Sequence, residues 1–201
     1  MTIDRYLLSF TSVSLALSES VIIGETYLLC RDWDAVKQKI QSENLIKART
    51  KSSTQRVYQE IWPRLSLLSD EQLELLVDGN PQEQKHILWY AICKRYAYVH
   101  EFAVEVLHEK YLSLHYELTD FDYDAFFNRK ADWHPELDQI KETTRVKMKT
   151  RMFWMLREAG FLSVENRIIP ATLSGRVIEA LADPSYSNFQ VFPISPSEIQ
   201  R

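Results

Sequence analysis

Asn80-Pro81-Gln82-Glu83-Gln84-Lys85-His86-Ile87-Leu88-Trp89-Tyr90-Ala91-Ile92-Cys93 is the stretch that decides the fold class. Asn80 has the side chain of a helix N-cap. Pro81 suits the first helical position, where an amide proton would go unpaired anyway, and Glu83 completes a capping box. An apolar and aromatic run follows and continues through Tyr96, Tyr98 and Phe102 toward Leu114. A helix that is apolar on every side has to be covered by other elements, so this stretch reads as the core of a helical protein. Its aromatic residues are read as packing groups, not as a cofactor box. A break near Val99 and His100 is expected to divide it into two helices.

Working outward, the composition agrees. The 201 residues include only 4 Gly and 7 Pro, which disfavours a turn-rich β fold, and 45% are hydrophobic, enough for a sizeable core. Residues 13–30 read as a helix weakened by Gly24. Asp32 caps a helix over 33–41, with Val36 and Ile40 facing inward. Ser52-Ser53-Thr54-Gln55 reads as a capping box opening a helix with Val57, Tyr58, Ile61 and Leu65 on one stripe, which Pro63 must end or kink. Ser69-Asp70-Glu71-Gln72 is a further capping box. Thr119-Asp120-Phe121-Asp122 caps a helix to about Ala131, and His134-Pro135 opens a short one. Thr143 or Thr144 caps a longer helix that stops at Gly160. Residues 161–170 suit a small β-hairpin. A last helix over 174–182 precedes a loose tail. The expected architecture is all-α with helix-turn-helix and winged-helix-like elements and one β-hairpin. It divides into units 1–68, 69–118 and 119–185, with the tail at 186–201.

Charge is unevenly spread. The chain carries a net −4, yet the windows 37–56 and 141–157 each hold six basic residues and one acid. The remainder holds 12 basic and 26 acidic residues, a balance of −14. Two compact cationic patches on an acidic body have the form of an electrostatic footprint for nucleic acid. Solvated helix faces are the alternative reading of such runs.

Each patch coincides with a helix-turn-helix candidate. In the first, Lys47, Arg49 and Lys51 precede the helix, the amides of Ser53 and Thr54 are expected to be free for an anion, and Gln55, Arg56 and Gln59 share a polar face. In the second, Thr144, Lys147, Thr150 and Arg151 lie opposite an inner arc of Met148, Met152, Phe153, Met155 and Leu156. Arg145 and Lys149 are expected to reach phosphate by snorkelling. Arg167 at the hairpin tip is placed as a wing residue would be. The second unit is expected to contribute more, because it alone has a wing.

No catalytic site is credible. Glu83/His86 and Glu105/His108, with Glu101, form two Glu-x-x-His motifs of the kind a di-iron bundle uses, but Glu83 already serves a cap and the two motifs fall out of register. His100, His115 and His134 have no nucleophile at a diagnostic spacing, and no Gly-rich phosphate loop exists. No metal or other cofactor is expected. Cys30 and Cys93 lie far apart and read as free thiols. The N-terminus has no signal-peptide pattern, and its uncharged run, 6–18, is too short to span a bilayer. The chain therefore reads as cytoplasmic, without membrane insertion.

The residues now quoted resemble a known family. Asn44-Leu45-Ile46, Arg49-Thr50, Ser53-x-x-Arg56 and Arg64-Leu65 look like the N-terminal signature of BrxA. So do Leu88-Trp89-Tyr90-Ala91-Ile92-Cys93-Lys94-Arg95-Tyr96 and Glu101-Phe102-Ala103-Val104-Glu105-Val106-Leu107. Phe126-Phe127-Asn128-Arg129-Lys130-Ala131, His134-Pro135-Glu136-Leu137, Thr144-x-x-Lys147 and Leu156-Arg157-Glu158-Ala159-Gly160 continue the match, which covers about residues 5–182. BrxA is a small component of BREX bacteriophage-defence systems. The resemblance implies a non-enzymatic accessory protein that binds double-stranded DNA and works beside other BREX proteins. It brings no catalytic residues with it. An interaction scaffold of the defence complex and an RNA-binding helical factor remain the alternatives.

Overall fold

The computed structural model describes residues 5–183 and 186–199. Its axis is the helix that Asn80 opens. The Asn80 side chain accepts hydrogen bonds from the amides of Gln82 and Glu83, and the Glu83 carboxylate accepts one back from the Asn80 amide at 2.8 Å. This helix, here α5 (Pro81–Arg95), buries every residue from His86 to Cys93. Around it pack α1 (Leu17–Cys30), α3 (Lys51–Leu65), α4 (Asp70–Asp78), α10 (Glu142–Ala159) and α11 (Gly175–Ala180). Between α1 and α3 lies α2 (Trp33–Glu43), capped by Asp32 as expected.

The break after α5 falls at Tyr96, three residues before the expected point. Tyr96 is extended and buried, packed edge-on to Phe10 and beneath the Arg64 guanidinium at 5.4 Å. Tertiary contacts, not a local breaker, place the break. Beyond it α6 (Ala97–Phe102) runs through a π-helical stretch, Ala103–His108, into α7 (Glu109–Leu112).

The remaining helices are α8 (Asp120–Ala131), α9 (Pro135–Asp138), α10 and α11, with α12 (Pro196–Ile199) in the tail. Thr119 and Asp122 form the expected capping box on α8. The start of α10 differs from expectation. Lys141 stands at its N-cap without a side-chain bond, and Thr143 and Thr144 lie inside the helix. Its end is as read, with Gly160 in the left-handed region at φ 87°. The segment at 161–169 pairs less than a hairpin would. Two isolated bridges, Leu162 with Ile168 and Glu117 with Arg167, mark it, and the Ser163 amide donates to the Arg167 carbonyl and the Ile169 amide to the Phe161 carbonyl, each at 2.9 Å. The Phe161 amide donates to the Leu156 carbonyl instead of back to Ile169, and the Ile168 amide faces away to the Tyr116 carbonyl, so the two-stranded pairing does not extend.

One hydrophobic core runs from Tyr6 to Ile194 through all the units named above. The tail is a correction. Phe189, Val191, Phe192 and Ile194 are buried, the Trp89 indole donates to the Val191 carbonyl at 2.7 Å, and His108 Nδ1 lies 2.7 Å from the Phe192 carbonyl. These apolar side chains pack against α5 and the π-helical stretch despite their Pro- and Ser-containing surroundings.

Glu83 offers a test of how the core is tied. Its carboxylate accepts from the Ser174 hydroxyl at 2.6 Å as well as from Asn80. The Ser174 bond first, then the Asn80 amide, hold its carboxyl below the ordinary 4.5 against the opposing effect of burial. A depressed folded value means a contribution that is complete above pH 4.5 and fades as pH falls through the folded value. Glu83→Gln is expected to lower stability at pH 7, and the gap to wild type is expected to narrow at acid pH in urea titrations. A gap that stays constant with pH would refute this account of Glu83.

Candidate nucleic-acid interface

The first cationic patch is built on α2, α3 and the turn between them. That turn is laced to the helix it precedes: Asn44 Nδ2 donates to the Ala48 carbonyl, and Thr54 Oγ1 donates to Asn44 Oδ1, both at 3.1 Å. Lys47 and Arg49 therefore stand on a fixed loop rather than a slack one, and Lys51 on the first turn of α3. All three are exposed, as are Gln55, Arg56 and Gln59, while Ser53 is half-buried. Among the described residues, none of Lys37, Lys39, Lys47, Arg49, Lys51 and Arg56 forms an ion pair.

The cap of α3 differs from the expected box. Thr50, not Ser52, caps it: Thr50 Oγ1 accepts from the Ser53 amide at 3.1 Å, and the Thr54 amide donates to the Thr50 carbonyl at 3.0 Å. The amides of Ser53 and Thr54 are thus engaged and do not await an anion. Thr50-x-x-Ser53 and Ser52-x-x-Gln55 offer the same chemistry two residues apart, and the Thr54–Asn44 bond favours the earlier start. Pro63 falls in the last turn of α3, which ends at Leu65.

At 100° per residue, Lys51, Gln55, Gln59 and Trp62 make one stripe along α3, and all four are exposed. At its far end lies a cleft of about 270 Å³ between α2 and α3, lined by Trp33, Asp34, Lys37, Tyr58, Gln59 and Trp62. Sequence reading named Gln59 but missed the cleft. The continuation of the polar stripe into Trp62 was the available signal.

The second patch keeps less of its charge. Arg145 donates to Asp124 at 2.9 Å and lies over the Phe127 ring at 4.3 Å. Lys149 donates to Asp120 at 2.8 Å, a bond that holds its ammonium above the ordinary value. Both side chains thus fasten α10 to α8 and do not reach outward as expected. Arg157 bonds Asn166 and the Ser163 carbonyl, fastening the 161–169 loop to α10. Thr150 donates back to the Val146 carbonyl at 2.9 Å. Lys147 and Arg167 are exposed, Arg151 is half-buried, and among the described residues none of the three forms an ion pair. Thr144 and Trp154 are exposed beside them on α10.

The Glu-x-x-His residues have other work. Glu83 caps α5. His86 pairs with Gln82 at 2.8 Å, and burial pushes its pKa down to about 4, so it is neutral. Burial alone would raise Glu105, but hydrogen bonds from Lys130 and Arg129 hold it low. Glu101 accepts from Tyr6 and pairs with Lys130. Among the described residues, no group of three or more His, Cys, Asp or Glu stands close enough to hold a metal ion. Among them, too, no helix is long and apolar enough to cross a membrane.

Fold and surface together define an all-helical protein that presents two cationic helix faces on an acidic body. A sequence profile of the BrxA family matches residues 4–185, and the chain belongs to that family. It is 30% identical over 162 residues to the BREX protein BrxA of Bacillus cereus (strain H3081.97), covering 78% of this chain and 81% of that one. It is 24% identical over 149 residues to the BREX protein BrxA of Escherichia coli O9:H4 (strain HS), covering 74% and 70%. A crystal structure of an uncharacterized protein from Magnetospirillum magneticum has a similar fold, with a TM-score of 0.80 at 20% identity over 94% of this chain and 100% of that one.

Proposed function

We propose that this chain is a non-enzymatic accessory component of a BREX phage-defence system and binds double-stranded DNA. The observation that supports this best is the set of six cations on α2, α3 and the turn between them that form no ion pair among the described residues, beside the exposed Gln55 and Gln59 of α3. Phosphate contacts from Lys and Arg position a protein on the duplex, and Gln and Arg can read base edges. The relatives' name, BREX protein BrxA, supports the assignment to a defence complex and to BREX proteins as partners. In this reading α8, α9, α10 and the 161–169 loop act as a winged-helix-like unit. Thr144, Lys147, Thr150 and Arg151 are its outer face, and Arg167 is its wing contact. The first unit is the principal site, since Arg145, Lys149 and Arg157 are engaged within the protein.

A salt series on duplex DNA tests the proposal. The logarithm of affinity should fall linearly with the logarithm of salt, by about 0.9 per phosphate neutralised. No retention on duplex DNA at low salt, with a BREX protein co-purifying, would instead support a docking scaffold. Duplex RNA should compete poorly, because its A-form major groove is closed to side chains. For the second unit, Lys147→Glu with Arg151→Glu is expected to weaken binding and lower the slope by up to about 1.8, with an unchanged melting temperature. A folded double variant with the wild-type slope would remove α10 from the site.

A further inference from the structure

The cleft between α2 and α3 has the chemistry of a slot for a flat heterocycle. Trp33 is fixed by stacking on Tyr27, with ring centroids 4.1 Å apart at 18°, and the Tyr58 hydroxyl donates to the Trp33 carbonyl at 2.8 Å. Trp62 lies 6.2 Å from Trp33 at 45° and is 36% exposed, with its ring unstacked by any other aromatic among the described residues. The cleft's polar lining is Asp34, Gln59 and Lys37, all exposed. Among the described residues none of these three heads has a hydrogen-bond or ion-pair partner. An aromatic wall lined also by unspent acceptors and donors suits a ring whose edge carries N–H groups. Lys37 in the cleft's lining, and the unpaired Lys51 and Arg56 further along α3, suit an anionic chain attached to that ring.

We infer that this cleft binds an unpaired DNA base, stacked on Trp62 and read by Asp34, as an extension of the duplex contact along α3. A base within the stack has both faces and its pairing edge covered, so it must leave the duplex to enter. A carboxylate accepts best from an edge with two adjacent N–H donors, so guanine is the preferred base. The inference rests on the DNA-binding reading above.

Anisotropy titrations of the full chain with three labelled duplexes decide the matter: fully paired, with one bulged deoxyguanosine, and with one bulged thymidine. The bulged-guanine duplex is expected to bind about tenfold more tightly than the paired one, the scale of one base stacked on an aromatic ring. The thymidine bulge should gain less. Trp62→Ala should bring the ratio of bulged to paired affinity to about one, Trp62→Phe should keep the wild-type ratio, and Asp34→Asn should erase the preference for guanine. Equal affinity for paired and bulged duplexes, or an undiminished gain in Trp62→Ala, overturns the slot while leaving duplex binding intact. Loss of a bound protein partner in Trp62→Ala with no change toward bulged DNA likewise overturns it, and assigns the cleft to protein docking. Failure of wild type to bind any of the three duplexes at low salt overturns the DNA-binding reading itself.

Discussion

Reversing Lys47, Arg49, Lys51 and Arg56 together to Glu is expected to abolish retention on duplex DNA while leaving the melting temperature close to wild type. All four side chains are exposed, and among the described residues none forms an ion pair, so the change breaks no internal contact of their charged heads. Lys51 is the first residue of α3, where a carboxylate interacts favourably with the helix dipole. Stability should therefore hold. Binding should not, because four phosphate contacts account for up to about 3.6 of the salt slope. Each attraction is also replaced by repulsion. Anisotropy at several salt concentrations, with a circular-dichroism melt on the same sample, reads both quantities. A folded variant that binds like wild type would take the first patch out of the interface and return the main role to α10.

The weighting of the two patches marks where sequence reading ran out. Charge density is visible in sequence, and it gave both windows the same value. Whether a charge is available depends on what packs beside it. Asp120 and Asp124 were legible as residues of a capped helix, but their distance from Arg145 and Lys149 follows from how α8 crosses α10. Local signals fared better. The boxes at Ser69, Asn80 and Thr119 and the Asp32 cap are short-range chemistry, and the structure forms each as read. Where two cap patterns competed, at Thr50 and Ser52, a contact ten residues away chose between them. The π-helical stretch had no sequence signal at all. The cleft was half legible: Gln59 lay on the polar stripe, but its neighbours Trp33 and Asp34 arrive from another helix.

The tail is where reading by composition failed most, and it carries the largest expected effect on stability. A chain ending at Asn188 loses Phe189, Val191, Phe192 and Ile194, all buried. Burial of such side chains is worth about 1.5–3 kcal/mol each, so roughly 6–12 kcal/mol is removed. The Trp89 indole and the His108 ring lose their carbonyl partners at 2.7 Å, and a buried polar group left unpaired costs about 1–3 kcal/mol more. A whole domain is stable by only about 5–15 kcal/mol. The truncated chain is therefore expected not to fold, and to appear as insoluble or protease-sensitive material. A chain ending at Ser195 keeps the four side chains and should fold, with a modest loss from the Glu198 contact to Tyr111. Phe192→Ala grades the effect. At about 3–5 kcal/mol for a fully buried phenylalanine, and about 2–4 °C per kcal/mol in a protein of this size, its melting temperature should fall by about 6–20 °C. A chain ending at Asn188 that melts like the full-length protein would show that the tail covers the core without holding it.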